Sequence, residues 1–175
     1  MSAYATLPRE RLPVLAAGVR TPFLDSGGAY ADWHNYELAA QPLRAVLERS
    51  GVPAADIELV TMGCVVQDVN TTNVAREAML TAGYPSTIPA YSVSMAGLSP
   101  NVGLMHICDM IALGRMNLAV AAGSENFSDL PIRMARNVRR RAVKLALAKS
   151  ATQRLRILAG LRPRDLVPEL PSALD

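Results

Sequence analysis

The sequence predicts an α/β fold in which βαβ units build a mostly parallel sheet with helices on both faces, followed by the start of a separate helical segment. Three observations carry that expectation. Short apolar runs alternate with stretches of helical periodicity over residues 1–132. Glycine closes the helical stretches, at Gly51, Gly83 and Gly114. The charge then changes sign. Residues 1–132 hold seven Lys/Arg and twelve Asp/Glu, whereas residues 133–175 hold eleven and three. A shift of that size marks a boundary, so the expected domains are an α/β unit at 1–132 and a basic helical segment at 133–175.

Taken in order, Val14 to Val19 is an apolar run that reads as a first buried strand, ended by Pro22. From Asn35 to Ser50, Leu38, Ala39, Leu43, Val46 and Leu47 share one face of a helix. Pro42 lies inside that pattern and is expected to kink the helix or delay its start. Ile57 to Val66 is the second strand and Asn73 to Ala82 a short helix. Tyr91–Val93 is a third strand, Leu98 to Leu113 a long apolar helix, and Leu118 to Ala122 a fourth strand of small residues. Beyond Arg133 the strand signals vanish. Arg136 to Ser150 and Thr152 to Leu161 read as helices, with an irregular tail marked by Pro163, Pro168 and Pro171.

Composition excludes several classes. Half of the 175 residues are hydrophobic and 19% are charged, which fits a packed core rather than disorder. No apolar run reaches the length of a membrane span, and Met1 to Leu12 has no apolar signal region, so a cytoplasmic location is expected. Cys64 and Cys108 fit two reduced, buried thiols. His34 and His106 have no metal-ligand spacing, and no metal is expected.

The chain is organised around Pro89 to Asn101, which reads as a buried strand, a sharp turn and a helix start. Ser99 before Pro100 suits an N-cap followed by proline at the first helical position. Such a turn favours a nucleophile or an anion, because the helix dipole and free N–H groups point at it. The residue at its apex is Gly97.

These landmarks resemble the amino-terminal half of a thiolase. The residues that carry the resemblance are Val19 to Phe23, Met62 to Gln67, Asn73 to Glu77, Val93 to Ser99 and Ala122 to Ser128. Leu130 to Arg133, Ala148 to Ser150, Gln153 to Leu155 and Pro168 to Pro171 are similar to the long-chain 3-ketoacyl-CoA thiolase branch, that of the trifunctional complex beta subunit. The resemblance implies a five-layer fold of two similar halves, coenzyme A as the acyl carrier, and a loop domain beginning near residue 133. It implies a nucleophilic cysteine on the turn, with an asparagine motif, a histidine and a second cysteine later in the family's chain. Gly97 stands where the family has its cysteine.

Covalent thioester chemistry needs a thiolate, which Gly97 cannot supply. The site reads either as repurposed for acyl-CoA binding or as an enzyme relic. Ser99 keeps the family's pattern, but a helix cap explains it better than a nucleophile, since no base is identifiable beside it. Cys64 reads as packing. Cys108 lies eleven residues past Gly97, roughly 16 Å along a helix. His106 reads as structural and His34 as exposed.

Arg133, Arg136, Arg140 and Lys144 fall on one helical stripe beside Val138, Ala142 and Leu145. A solvated face is the plain reading. Coenzyme A phosphates and an anionic membrane surface are the alternatives, and no nucleic acid is expected because no aromatics interleave with the charges. Two functions follow. One is a thiolase-like acyltransferase half or subunit of acyl-CoA metabolism, inactive alone, with no covalently held cofactor and coenzyme A or acyl-CoA as ligand. The other is a non-catalytic assembly subunit or truncated remnant. Both expect a homo-oligomer or a second polypeptide that supplies the carboxy-terminal thiolase half.

Overall fold

In the computed structural model, which describes residues 6–66, 68–131, 133–162, 165 and 167–169, three parallel strands form the sheet of the first unit. They are β1 (Leu59–Gly63), β2 (Ala90–Val93) and β3 (Ala119–Gly123), in the order β2-β1-β3. Val60 pairs with Ala90 on one side and Val120 on the other. All five residues of β1 are buried, as expected for a central strand covered on both faces. The chain divides into two compact units, Met1–Leu130 and Pro131–Asp175.

Side-chain alternation along β1 assigns the faces. Val60 and Met62 enter a core with α1 (Asn35–Ser50) and α2 (Val74–Thr81), where Leu43, Ala75, Ala78 and Met79 are almost fully buried. Leu59 points the other way, joining Ile107 of α3 (Ser99–Ala112) and Met116 in a second core. Ala119 and Ala121 pack on that second face, and Val120 and Ala122 on the first. A two-residue side-chain period thus divides one sheet between two helical layers.

The helix ends follow local chemistry. Gly51, at φ 68°, closes α1 with its N–H donating to the Leu47 carbonyl at 2.9 Å. Asn73 caps α2 by accepting from the Arg76 N–H, while its amide donates to the Ala90 carbonyl of β2. The Arg76 guanidinium donates to the carbonyls of Ile88 and Ser86, both at 2.7 Å, which holds the turn leading into β2.

Three expectations need correction. Residues 14–19 form no strand: Val14 and Leu15 are each 81% exposed. An apolar run becomes a strand only when its backbone groups find ladder partners, and the sheet strands described here pair with one another instead. Pro42 does not delay the start of α1, which runs unbroken from Asn35 to Ser50. Strand structure also does not vanish after Arg133. β4 (Arg133–Met134) pairs antiparallel with β5 (Pro168–Glu169), so Pro168 belongs to a short ladder rather than to an irregular tail. Pro163 and Pro171 lie outside the described residues.

In the second unit, α4 (Arg136–Ala146) and α5 (Ala151–Ala159) are separate helices, α4 ending four residues before the expected Ser150. Ser150 instead caps α5, accepting from the Gln153 N–H at 3.2 Å. The Arg141 guanidinium donates to the Ile157 carbonyl at 2.9 Å and ties the two helices together.

Candidate functional site: the corner between β2 and α3

β2 leaves the sheet at Val93 and the chain turns sharply into α3 through Ser94 to Leu98. The turn is tight. Ala96 has φ 45°, the left-handed region that costs an L-residue roughly 1–2 kcal/mol. Backbone bonds from Leu98 N–H to Met95 O at 3.0 Å and from Ser99 N–H to Ala96 O at 3.2 Å hold it there. Strain of this kind clusters at functional corners.

Ser99 fastens the same turn through its side chain. Its Oγ accepts from the Met95 N–H and donates to the Ala96 carbonyl, each at 2.7 Å, and the residue is 1% exposed. The expected helix-cap role is therefore corrected. The cap position is Leu98, Ser99 is already helical, and its hydroxyl is spent on the turn rather than on the helix start. With both its bonds made and no access to solvent, this hydroxyl is poorly placed to attack anything.

Gly97 is exposed at the apex, and a Cβ built on it meets nothing within 4 Å. A cysteine would therefore fit. Two other glycines position the corner. Gly63 and Gly123 are register partners at the ends of β1 and β3, and both lie against Pro100. A Cβ at Gly63 would come within 2.5 Å of Pro100 Cδ and 2.6 Å of the Ser99 carbonyl carbon, and one at Gly123 within 2.5 Å of Pro100 Cγ. One turn along α3, Gly103 sits equally close to Thr61. Glycines on both surfaces bring the helix start down onto the carboxyl ends of the strands.

Behind the corner, the ends of β1 and β3 are cross-tied. Asn35 Nδ2 donates to Cys64 Sγ and to the Ser124 carbonyl, both at 3.2 Å, and Ser124 Oγ donates to Asn35 Oδ1 at 2.7 Å. The Glu125 carboxylate accepts from the N–H groups of Val65 and Val66. Asn126 reaches the carbonyls of Tyr30 and Trp33. The Ser124-Glu125-Asn126 run thus acts as a buckle. No local pattern marks this run, because its partners lie about 60 to 96 residues away in sequence.

The thiols and histidines stand apart from this turn. Cys64 is buried, and burial first, then the nearby Glu125 charge, push its thiol up to about 11, against the lowering bond from Asn35. Burial and Asp109 push the Cys108 thiol up as well. His106 meets the Tyr91 hydroxyl, and His34 lies with Asp68 and Asp129. Neither histidine serves Gly97.

Arg136, Arg140 and Lys144 are exposed along α4, which belongs to the second unit. The Arg133 side chain lies outside the described residues. A cavity of about 930 Å³ is a wide hollow lined by Gly18, Val19, Arg20, Pro22, Ala45 and Arg49, none of them at the corner. Its lining offers no nucleophile or base.

A parallel sheet with a strained strand-to-helix corner at the carboxyl ends of its strands defines the class of α/β proteins that place ligands at strand ends. The comparisons are more specific. Residues 13–161 match the thiolase N-terminal domain. The chain is 42% identical over 168 residues to the mitochondrial trifunctional enzyme subunit beta of Bos taurus and to that of Homo sapiens, covering 96% of this chain and 35% of each relative. It is 35% identical to a probable 3-ketoacyl-CoA thiolase of Caenorhabditis elegans, over 99% of this chain and 39% of that protein. The crystal structure of the Bacillus anthracis acetyl-CoA acetyltransferase matches with a TM-score of 0.66 and 33% identity, over 68% of this chain and 30% of that one.

The chain belongs to the thiolase family. It spans little more than a third of the length of these curated relatives. Among the described residues, no helix is long and apolar enough to cross a membrane.

Proposed function

We propose that this chain is the nucleophile-side scaffold of a thiolase-type acyl-CoA acyltransferase of fatty-acid metabolism, and that it forms no acyl-enzyme on its own. The observation that carries this reading is Gly97, exposed at the apex of a fully built corner where the family resemblance calls for cysteine. The corner's strain, its serine tie and its glycine bed remain, while the thiolate is missing. In this sense the chain is a pseudoenzyme half. Coenzyme A or an acyl-CoA is its ligand, and Arg136, Arg140 and Lys144 meet the phosphates. Its two free cysteines suit a reducing compartment such as the cytoplasm.

The experiment is binding. The chain should be retained on immobilised coenzyme A, with retention falling as salt is added. The triple variant Arg136→Gln, Arg140→Gln, Lys144→Gln should lose most of it. Loss from anionic vesicles alone, with coenzyme A retention intact, would move the stripe to a membrane surface. Unchanged retention on both would return it to a solvated face.

A second reading, a non-catalytic assembly subunit, is favoured by a different observation. Met95, Leu98 and Met105 are 56%, 58% and 63% exposed on and just beyond the corner, beside the sheet-edge strand β2. Burying each would return about 1.5–3 kcal/mol, and an open strand edge invites pairing. The occupant of that surface is a second copy or a polypeptide bearing the other thiolase half. Sedimentation at micromolar concentration should show a dimer or larger species, and a sharp monomer boundary would count against any association.

A further inference from the structure

We propose that His34, Asp68 and Asp129 form a binding site for a divalent transition-metal cation, separate from the Gly97 corner. The three residues come from the start of α1, the loop after β1 and the loop after β3. One ligand atom from each lies within 4.8 Å of the others. His34 Nδ1 is 3.4 Å from Asp129 Oδ2 and 3.8 Å from Asp68 Oδ2.

The observation that points to a ligand is the state of Asp68. Its side chain is 0% exposed. Oδ1 accepts from the Asn70 N–H at 2.7 Å, which fixes the carboxylate plane. Oδ2 then faces the cluster with no hydrogen-bond partner among the described residues. Its ion-pair contact among the described residues is His34, at 3.8 Å, too long for a hydrogen bond. A buried carboxylate oxygen left this way is costly, and a cation relieves the cost.

The remaining geometry suits a metal. Tyr36 stacks on the His34 ring at 5.5 Å and 7°, which holds its plane. The Asn70 side-chain amide meets the same Nδ1 at 3.3 Å, and its rotation presents a further oxygen to the same point. A cavity of about 170 Å³, lined by Ala31, Asp32, Trp33, His34 and Asp129, opens the cluster to solvent and leaves room for water ligands. Ligands about 2.0–2.2 Å from a metal stand roughly 3.0–3.5 Å apart. The two His34 contacts need to contract by at most a few tenths of an ångström, and the two carboxylates, which lie within 4.8 Å of each other, close on the ion through Asp129, which is 38% exposed. One imidazole with two carboxylates suits manganese, iron, cobalt or zinc, whereas a thiolate is absent from the set.

Manganese is the probe of choice, because the protein's two thiols compete poorly for it. Titration of the full chain with Mn²⁺, followed by the electron paramagnetic resonance signal of the free ion, should show one ion bound per chain. Asp68→Asn, which keeps the Oδ1 contact, should weaken binding at least tenfold, as should Asp129→Asn at an exposed position. Asp56→Asn, on the exposed turn before β1 and outside this cavity, should leave it unchanged. Mn²⁺ should also raise the melting temperature of the wild type and leave that of Asp129→Asn where it was. No uptake at millimolar Mn²⁺, or equal uptake by the wild type and both ligand variants, would overturn the site.

Discussion

A cysteine introduced at position 97 is expected to be the fastest-reacting thiol in the chain. Gly97→Cys places its Cβ in open space, so the substitution should cost little stability. Its thiol would stand two residues ahead of the first residue of α3, where the positive end of the helix dipole stabilises a thiolate. Thiols in such positions titrate at about 3.5–7.5 rather than about 8.5. Burial holds Cys64 up to about 11, so only about one molecule in ten thousand carries that thiolate at neutral pH. The sign is clear: Cys64 reactivity should climb about tenfold per pH unit until about 11, while the reactivity of the new cysteine should already be level. At pH 7, iodoacetamide should alkylate position 97 at least about a hundredfold faster than Cys64.

Gly63→Ala is expected to be the most damaging single-methyl addition in the first unit. The added Cβ would come within 2.5–2.6 Å of Pro100 Cδ and the Ser99 carbonyl carbon, and closer still to Pro100 N. Two of these atoms are backbone and the third belongs to a proline ring, so no flexible side chain can yield. Relief requires α3 to lift from the sheet. That opens the second core around Leu59, Ile107 and Met116 and pulls on the turn that Ser99 ties. A cost of about 4 kcal/mol or more follows, against a typical margin of about 5–15 kcal/mol. Urea denaturation should show the loss, with Gly97→Ala as a near-neutral control because its Cβ meets nothing. A loss under about 1 kcal/mol would mean that the helix start is less constrained than its contacts indicate.

Elements whose signals are local were legible in the sequence. The α1 and α2 stretches have apolar periodicity and a residue at each start or end with capping chemistry, so their extents follow within a residue or two. The parallel sheet followed from the spacing of apolar runs. Residues 14–19 failed because apolarity signals burial, whereas a strand also needs a hydrogen-bonding neighbour, which local sequence does not encode.

The corner was legible as a turn, and Gly97 as its apex. The function of Ser99 was not, because a serine before proline looks the same whether it bonds forward into the helix or backward into the turn. The backward choice depends on Ala96 adopting φ 45°. Nothing local to Gly63 and Gly123 names Pro100 as the group packed against them, since it lies 37 and 23 residues away in sequence. The His34, Asp68 and Asp129 cluster was invisible for the same reason. Ligand spacing is a local pattern, and these three residues meet only after α1, β1 and β3 have assembled.

The most direct test of the proposed loss of the nucleophile is the intact mass of the chain after incubation with a 3-ketoacyl-CoA and free coenzyme A. Without a thiolate at position 97, the wild type should gain no acyl mass and release no acetyl-CoA above buffer. Gly97→Cys should be alkylated readily yet still fail to turn over alone, because a thiolate without a general base and oxyanion donors completes only part of the chemistry. An acyl adduct on the wild type that survives Cys64→Ser and Cys108→Ser would contradict the account, since another side chain would then be the nucleophile.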